Sequence, residues 1–172
     1  MRPRIYFAGP DVFRVDYASH VAQIDETCER LGALAIHPAD GKGKSSREIF
    51  EGNVQRIRGC HAIVAHVDPF RSRTEPDSGT CFEIGMAFGL GKPISLWMSP
   101  DEHLPHEERC RRAYGLREGA RGMPVDCVFG FLVENFESPL NLMLAHAGFL
   151  AASLEEAVRD AIKTVGQSSK GR

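Results

Sequence analysis

The apolar residues of this chain follow two rhythms that take turns. Ile5-Tyr6-Phe7-Ala8 is a short run of β-formers closed by Gly9-Pro10, which predicts a buried strand running into a tight loop. Tyr17, Val21, Ile24, Cys28 and Leu31 then recur at helical spacing, with Asp25, Glu26, Glu29 and Arg30 on the other face and Gly32 as the stop. Leu34-Ala35-Ile36-His37 before Pro38 is a second strand, and the polar stretch 40–45, with Gly41, Lys42, Gly43 and Lys44 inside it, reads as a mobile loop. Residues 46–59 return to the helical rhythm through Phe50, Val54 and Ile57, and residues 62–67 form a third buried strand that stops at Asp68-Pro69. Residues 78–90 have no polar face, so a helix there must be packed on several sides, and residues 93–97 follow as a fourth strand. The charged region 99–124 holds one helix around 107–114, and residues 128–133 supply a fifth strand. Ser153 and Glu156 have capping-box spacing and open a last amphipathic helix through Leu154, Val158, Ala161, Ile162 and Val165, ended by Gly166.

Strands that alternate with helices imply a parallel sheet covered on both faces, so the pattern predicts a doubly wound α/β fold of about five strands. No internal repeat, linker or low-complexity tract divides residues 1–172, which read as one domain with a frayed tail over 166–172. At 172 residues a single core buries roughly 70% of the unfolded chain's surface. Apolar residues at 42% and charged residues at 26% are ordinary globular proportions.

A formal charge of -2 provides no field that would recruit nucleic acid or an anionic membrane, so small molecules are the expected partners. No apolar run reaches the roughly 18 to 20 residues that span a bilayer, and the N-terminal apolar stretch is too short for a secretory core. The five cysteines are scattered, never spaced as C-x-x-C, and read as reduced thiols in a cytoplasmic protein.

In open parallel sheets ligands bind beyond the carboxyl ends of the strands. That rim collects residues 9–13, the loop 68–77 and the start of the helix at Ser78. The first loop, Gly9-Pro10-Asp11-Val12-Phe13, matches neither a dinucleotide nor a phosphate-loop pattern, so no cofactor is implied. The sharpest feature is the run from Pro76 to Ala87, where Glu83 is the one carboxylate on an otherwise apolar helix. Burying an unpaired carboxylate costs several kcal/mol unless its pKa rises or it gains partners, and that cost is concentrated where the group reacts. The competing reading is structural: Asp77 is an N-cap, and Thr80 and Glu83 have capping-box spacing. The apolar neighbours Phe82, Ile84 and Met86, together with the helix's place at the rim, favour chemistry.

The segments Ile5-Tyr6-Phe7-Ala8-Gly9-Pro10, Asp68-Pro69-Phe70-Arg71, the run from Asp77 to Ala87 and Asn141-Leu142-Met143, in this order, resemble the nucleoside 2-deoxyribosyltransferase family over roughly residues 4–145. The resemblance implies a flavodoxin-like sheet, a homo-oligomer, and transfer of 2-deoxyribose between free purine or pyrimidine bases and 2′-deoxynucleosides without metal or organic cofactor. It makes Glu83 the nucleophile at C1′, Tyr6 the residue that orients it, and Asp77 the aspartate that binds sugar hydroxyls and assists proton transfer. Asn141 resembles an asparagine donated to a neighbouring subunit's site, and Gly9, Asp11, Phe13, Asn53, Asp68 and Gly79 are expected to contact substrate. At position 53 this chain has Asn where some relatives have Asp, so Asn53 is expected to contact sugar or base and not to move protons.

The chemistry has its own logic: a 2-deoxy sugar lacks the electron-withdrawing 2′-hydroxyl, so one carboxylate can capture an oxocarbenium-like transition state. Phe7 and Phe13 are candidates to stack on a base, although Phe7 also suits a core. Hydrolysis of nucleosides or nucleoside 5′-monophosphates is the second reading, because Pro76-x-x-Gly79-Thr80-x-x-Glu83 also resembles cytokinin-releasing phosphoribohydrolases. Those usually carry two glycines where Asp77-Ser78 stands, and an aspartate there disfavours a 5′-phosphate. A non-catalytic nucleoside-binding module is the third.

Weaker signals have plainer explanations. His103, His106 and Cys110 lack a fourth ligand and are interrupted by Pro105, which argues against zinc. His61 and His66 read as satisfied or exposed strand residues, Cys81 as a packing residue, and Arg109, Arg111 and Arg112 as a solvated helix face. The apolar stretch 139–150 suggests a subunit interface.

Overall fold

The computed structural model describes residues 2–38 and 44–168. The anticipated loop 40–45 therefore lies largely outside the described residues, as does the tail beyond Ser168. The elements, in chain order, are β1 (Arg4–Ala8), a single helical turn (Pro10–Phe13), α1 (Tyr17–Leu31), β2 (Leu34–Ile36), α2 (Ser46–Gly59), β3 (Ala62–His66), α3 (Ser78–Gly89) and β4 (Ile94–Trp97). After these come α4 (His106–Tyr114), β5 (Leu116–Arg117), β6 (Val125–Asp126), α5 (Leu142–Ala145), β7 (Phe149–Ala151) and α6 (Leu154–Ser168).

Five strands form one parallel sheet in the order β2-β1-β3-β4-β7, a flavodoxin-like arrangement. Alternation sorts the strand residues onto two cores. Ile5, Phe7, Ala62 and Val64 pack beneath α1 and α6, against Ile24, Cys28, Val158 and Ala161. Tyr6, Ala8, Ile63 and Ala65 face the other way, toward Ile57 of α2, Ile84 and Ala87 of α3, and Leu144 of α5. The chain winds from β1 to β2 on one side and then crosses to β3 on the other, so a crevice opens above the carboxyl ends of β1 and β3.

The fifth strand is β7, Phe149–Ala151, and not residues 128–133. There the apolar rhythm is overridden by turn chemistry: the Asp126 carboxylate accepts the backbone N–H groups of Val128 (3.0 Å), Phe129, Gly130 (3.3 Å) and Phe131 (2.9 Å). The segment makes one isolated bridge, Val125 to Leu132, in place of a ladder. The stretch 139–150 correspondingly supplies Leu140 and Leu144 to the core and then enters the sheet edge at Phe149.

Three smaller expectations are also corrected. Helix α6 runs through Gly166 to Ser168, because Ala157, Val158 and Ala161 hold its inner face and a lone glycine costs only about 1 kcal/mol. Arg109 is buried, donating to the carbonyl of Pro139 and pairing with Glu102 at 3.7 Å, whereas Arg111 and Arg112 pair with Glu107 and Glu108 on the solvent side. Helix α3 packs against the sheet, α2 and α5, but its outer face leaves Phe82 and Phe88 exposed, with Leu90 just beyond its end.

Gly148 shows how tightly β7 is held. A Cβ there would lie 2.3 Å from the carbonyl oxygen of Ile94, so no side chain fits without displacing β4. Gly148→Ala is expected to lower unfolding free energy by roughly 1–3 kcal/mol. Gly89→Ala, where an added Cβ meets nothing within 4 Å on a helix, should raise it by about 0.5–1 kcal/mol. Urea unfolding of both variants checks the pair; equal stabilities would contradict the packing described for β7.

Candidate active site

Helix α3 begins where β3 has delivered the chain to the rim. Asp77 is its N-cap: Oδ2 accepts the Thr80 N–H at 2.8 Å and the Thr80 hydroxyl at 3.0 Å. With Asp77 as cap, Glu83 lies in the second turn, beyond the reach of a capping box. Its carboxylate turns instead to the sheet, where the fully buried Tyr6 donates its hydroxyl to Glu83 Oε1 at 2.6 Å. Tyr6 reaches it because parallel pairing with Ile63 of β3 presents its ring to the α2 and α3 face.

Burial pushes the Glu83 carboxyl up to about 7, against the pull of the Tyr6 hydrogen bond, and the negative charge of Asp77 adds to the rise. The Tyr6 phenol is driven far above its ordinary range by burial and by the adjacent carboxylate, so it stays a proton donor to Glu83. At neutral pH Glu83 is therefore poised between its two forms, which neither a solvated nor a capping glutamate would be.

This carboxylate faces a cavity of about 330 Å³ above β1 and β3. Gly9, Phe13, Asn53, Asp77, Gly79 and Glu83 all line it, and Tyr6 joins them through Glu83. Phe50 and Phe82 complete an aromatic wall, their ring centroids 5.8 Å apart. In the sequence both read only as apolar-stripe or flanking residues; their half-exposure, at 54% each, sets them apart from core aromatics. Phe13 stacks on Phe70 at 5.4 Å, and the Arg71 guanidinium lies 4.9 Å from the Phe13 ring. Phe7 belongs to the core, stacked on His37 beneath the opposite sheet face.

Asp11, Asp68 and Asn141 are not on this wall. Asp11 and Asp68 turn to His66, at 2.9 and 3.0 Å, and Asp68 also accepts the Ser99 N–H at 2.7 Å. Burial alone would raise Asp68, but His66 and Ser99 outweigh it and hold the carboxyl at about 2. Asn141 caps α5, accepting from Met143 and Leu144. It borders two further cavities, of about 440 and 420 Å³. The histidines near α4 diverge: His103 contacts the Met98 carbonyl at 3.2 Å, and His106 contacts Glu75 at 2.6 Å. His61 accepts the Arg4 N–H.

The buried carboxylate and its tyrosine stand at an aromatic cavity at the switch point of a flavodoxin-like sheet, where open α/β folds hold their ligands. The sequence profile of the nucleoside 2-deoxyribosyltransferases matches residues 5–143. The chain therefore belongs to the nucleoside 2-deoxyribosyltransferase family, a family of nucleoside-modifying enzymes whose substrates are nucleosides and bases. A 2-deoxyribosyltransferase from Leishmania mexicana is similar in structure, with 33% identity, a TM-score of 0.75, and coverage of 94% of this chain and 97% of that one. A conserved protein from Enterococcus faecalis shares the fold at 18% identity and a TM-score of 0.61, over 98% and 99% of the two chains. An uncharacterised Schizosaccharomyces pombe protein is 28% identical over 94% of this chain and 87% of its own length. Among the described residues, no helix is long and apolar enough to cross a membrane.

Removing the Tyr6 hydroxyl takes away a hydrogen bond that favours the charged form of Glu83. In Tyr6→Phe the Glu83 carboxyl should titrate above its wild-type value of about 7. Carbon NMR of labelled glutamate checks this, and a downward shift would mean that the hydroxyl does not stabilise the carboxylate.

Proposed function

We propose that this protein transfers 2-deoxyribose between nucleobases by two successive displacements at C1′, with Glu83 as the nucleophile. The observation that carries the reading is the Tyr6–Glu83 pair at the wall of the aromatic cavity. A carboxylate oxygen of Glu83 forms a bond to C1′ as the bond from C1′ to the base nitrogen breaks, and the electron pair leaves with the base, which takes up a proton. The sugar is then an ester on Glu83. A nitrogen of a second base attacks C1′ from the opposite side and gives up its N–H proton as the ester oxygen leaves as carboxylate, and two inversions give retention.

Each wall residue has a role in this scheme. Tyr6 holds Glu83 in line by its hydrogen bond and steadies the charge that returns when the ester breaks. Asp77, anchored through Oδ2 by Thr80, binds sugar hydroxyls and assists proton transfer to the departing base, a contribution of typically 10²–10⁴-fold. Phe13, Phe50 and Phe82 hold the base by its faces, and Asn53 meets its edge or the sugar. The described lining residues include two carboxylates and neither Lys nor Arg, which favours unphosphorylated nucleosides over 5′-monophosphates.

The exposed Phe88 ring on α3, with Leu142 and Met143 beside it, suits a self-associating surface that sets Asn141 at a neighbouring subunit's cavity. Soluble cytoplasmic nucleotide salvage is the setting this reading implies.

Incubation with 2′-deoxyinosine and adenine should yield 2′-deoxyadenosine. Release of hypoxanthine without new nucleoside would make the protein a hydrolase, and neither product would make it a binding module. Glu83→Gln should lower turnover at least about 10³-fold with the fold retained. Because the nucleophile must be ionised, kcat/KM should climb with pH through an apparent pKa near 7 and level off by about pH 8. A rate independent of pH across that interval would exclude Glu83 as the attacking group.

A further inference from the structure

Beneath the Gly9–Phe13 wall lies a second charged assembly, and the transfer scheme leaves it unused. His66, the last residue of β3, is 8% exposed. Its Nδ1 lies 2.9 Å from Asp11 Oδ2, in the helical turn after β1, and its Nε2 lies 3.0 Å from Asp68 Oδ2, in the loop after β3. Its ring stacks on Trp97 of β4, centroids 3.9 Å apart and planes 11° from parallel. Asp68 continues the chain of contacts to the Ser99 hydroxyl at 2.5 Å, and Asp11 continues it to His20 of α1 at 3.3 Å.

We infer that His66 is a positioning residue, held as an imidazolium that ties the Gly9–Phe13 wall of the cavity to β3 and β4 through its hydrogen bond to Asp11 and its ion pair with Asp68. A neutral imidazole would turn an unprotonated nitrogen toward one of two carboxylate oxygens about 3 Å away, a repulsion that the imidazolium removes at both, with Nδ1–H donating to Asp11 and Nε2–H forming an ion pair with Asp68. An aromatic face against the ring favours the charged form further. Gly9 sits directly on this assembly: a Cβ there would lie 2.9 Å from His66 Cβ and 2.9 Å from Asp11 Oδ2. The same turn places Gly9, Val12 and Phe13 on the cavity wall, so the ion pair fixes the aromatic that meets the base.

The groups that face His66 are Asp11 from the turn, Asp68 with Ser99 behind it, and Trp97 from β4; His20 and Arg14 act on it through Asp11. Burial opposes the charge on His66, but the two carboxylates outweigh it and raise its pKa to about 9. The linkage therefore has one sign. The lock is complete below the ordinary histidine value of 6.5 and is lost as pH rises through about 9. This inference rests on the transfer reading only in its kinetic arm.

Nitrogen NMR of the full-length labelled protein, followed from about pH 6 to about pH 10, tests it directly. The expected result is a His66 ring protonated on both nitrogens at neutral pH, losing one proton near pH 9, with the amides of Val12 and Phe13 shifting at the same midpoint. In steady-state exchange between about pH 8 and about pH 10, where Glu83 is already ionised, KM for 2′-deoxyadenosine, whose base does not titrate there, should rise about 10-fold while kcat changes less than about 3-fold. Asp11→Asn should show the raised KM already at neutral pH. A ring carrying one proton at neutral pH would overturn the inference. So would a His66 titration that leaves the Val12 and Phe13 amides and KM unmoved. If the wild-type protein turns over no deoxynucleoside, the transfer reading fails, while the NMR result still decides the role of His66.

Discussion

A carboxylate taken out of water is the constraint around which this molecule is arranged. Glu83 sits where burial works against its charge, and a hydrogen bond that favours that charge comes from Tyr6, 77 residues away in sequence. That contact exists only because β1 and β3 pair in parallel and α3 packs across them, so the fold's central register and the site's electrostatics are the same fact seen at two scales. The result is a carboxyl that titrates near 7, acidic enough to ionise at physiological pH yet too poorly solvated to be inert. Asp77 joins from the N-cap of the same helix, adding negative charge that lifts Glu83 and lining the space where a sugar would lie.

The rest of the rim serves geometry. Phe50 from α2 and Phe82 from α3 form one aromatic side, and Phe13, steadied by Phe70 and Arg71, stands on the turn after β1. That turn has little secondary structure of its own to hold it, which gives the His66 ion pairs their significance. They substitute electrostatic anchoring for the backbone ladder that a loop lacks. Two charge systems of opposite sign thus lie one above the other: a carboxyl starved of solvation at the cavity, and an imidazolium enclosed by carboxylates beneath it.

Much of the architecture was legible because it obeys local rules. The helix of residues 46–59 and its neighbours follow simple periodicity, and β1, β3 and β4 are largely buried on both faces, so each reads as a short apolar run, with β2 a half-exposed edge strand. The fifth strand was not legible, because Asp126 gathers four backbone N–H groups and turns an apolar run into a loop, while three residues after a glycine suffice to close the sheet edge. At the site, Glu83 stood out as a lone charge in an apolar helix and Asp77 as its cap. The ring placements of Phe50 and Phe82 gave no sequence signal distinct from core packing. Asp11 and Asp68 were legible as residues of the rim and His66 as a strand residue, but nothing in the chain paired them. They form an assembly only because the carboxyl ends of β1, β3 and β4 converge, a consequence of topology that no local pattern contains.

The central claim is that the Glu83 carboxylate bonds to an anomeric carbon. Rapid acid quench of the protein mixed with 2′-deoxyinosine, followed by proteolysis and mass spectrometry, measures this most directly. The account predicts a deoxyribosyl increment on the peptide containing Glu83, formed with release of hypoxanthine and discharged when adenine is added. Turnover of 2′-deoxyinosine with no increment on that peptide, or an increment on another residue, would contradict it.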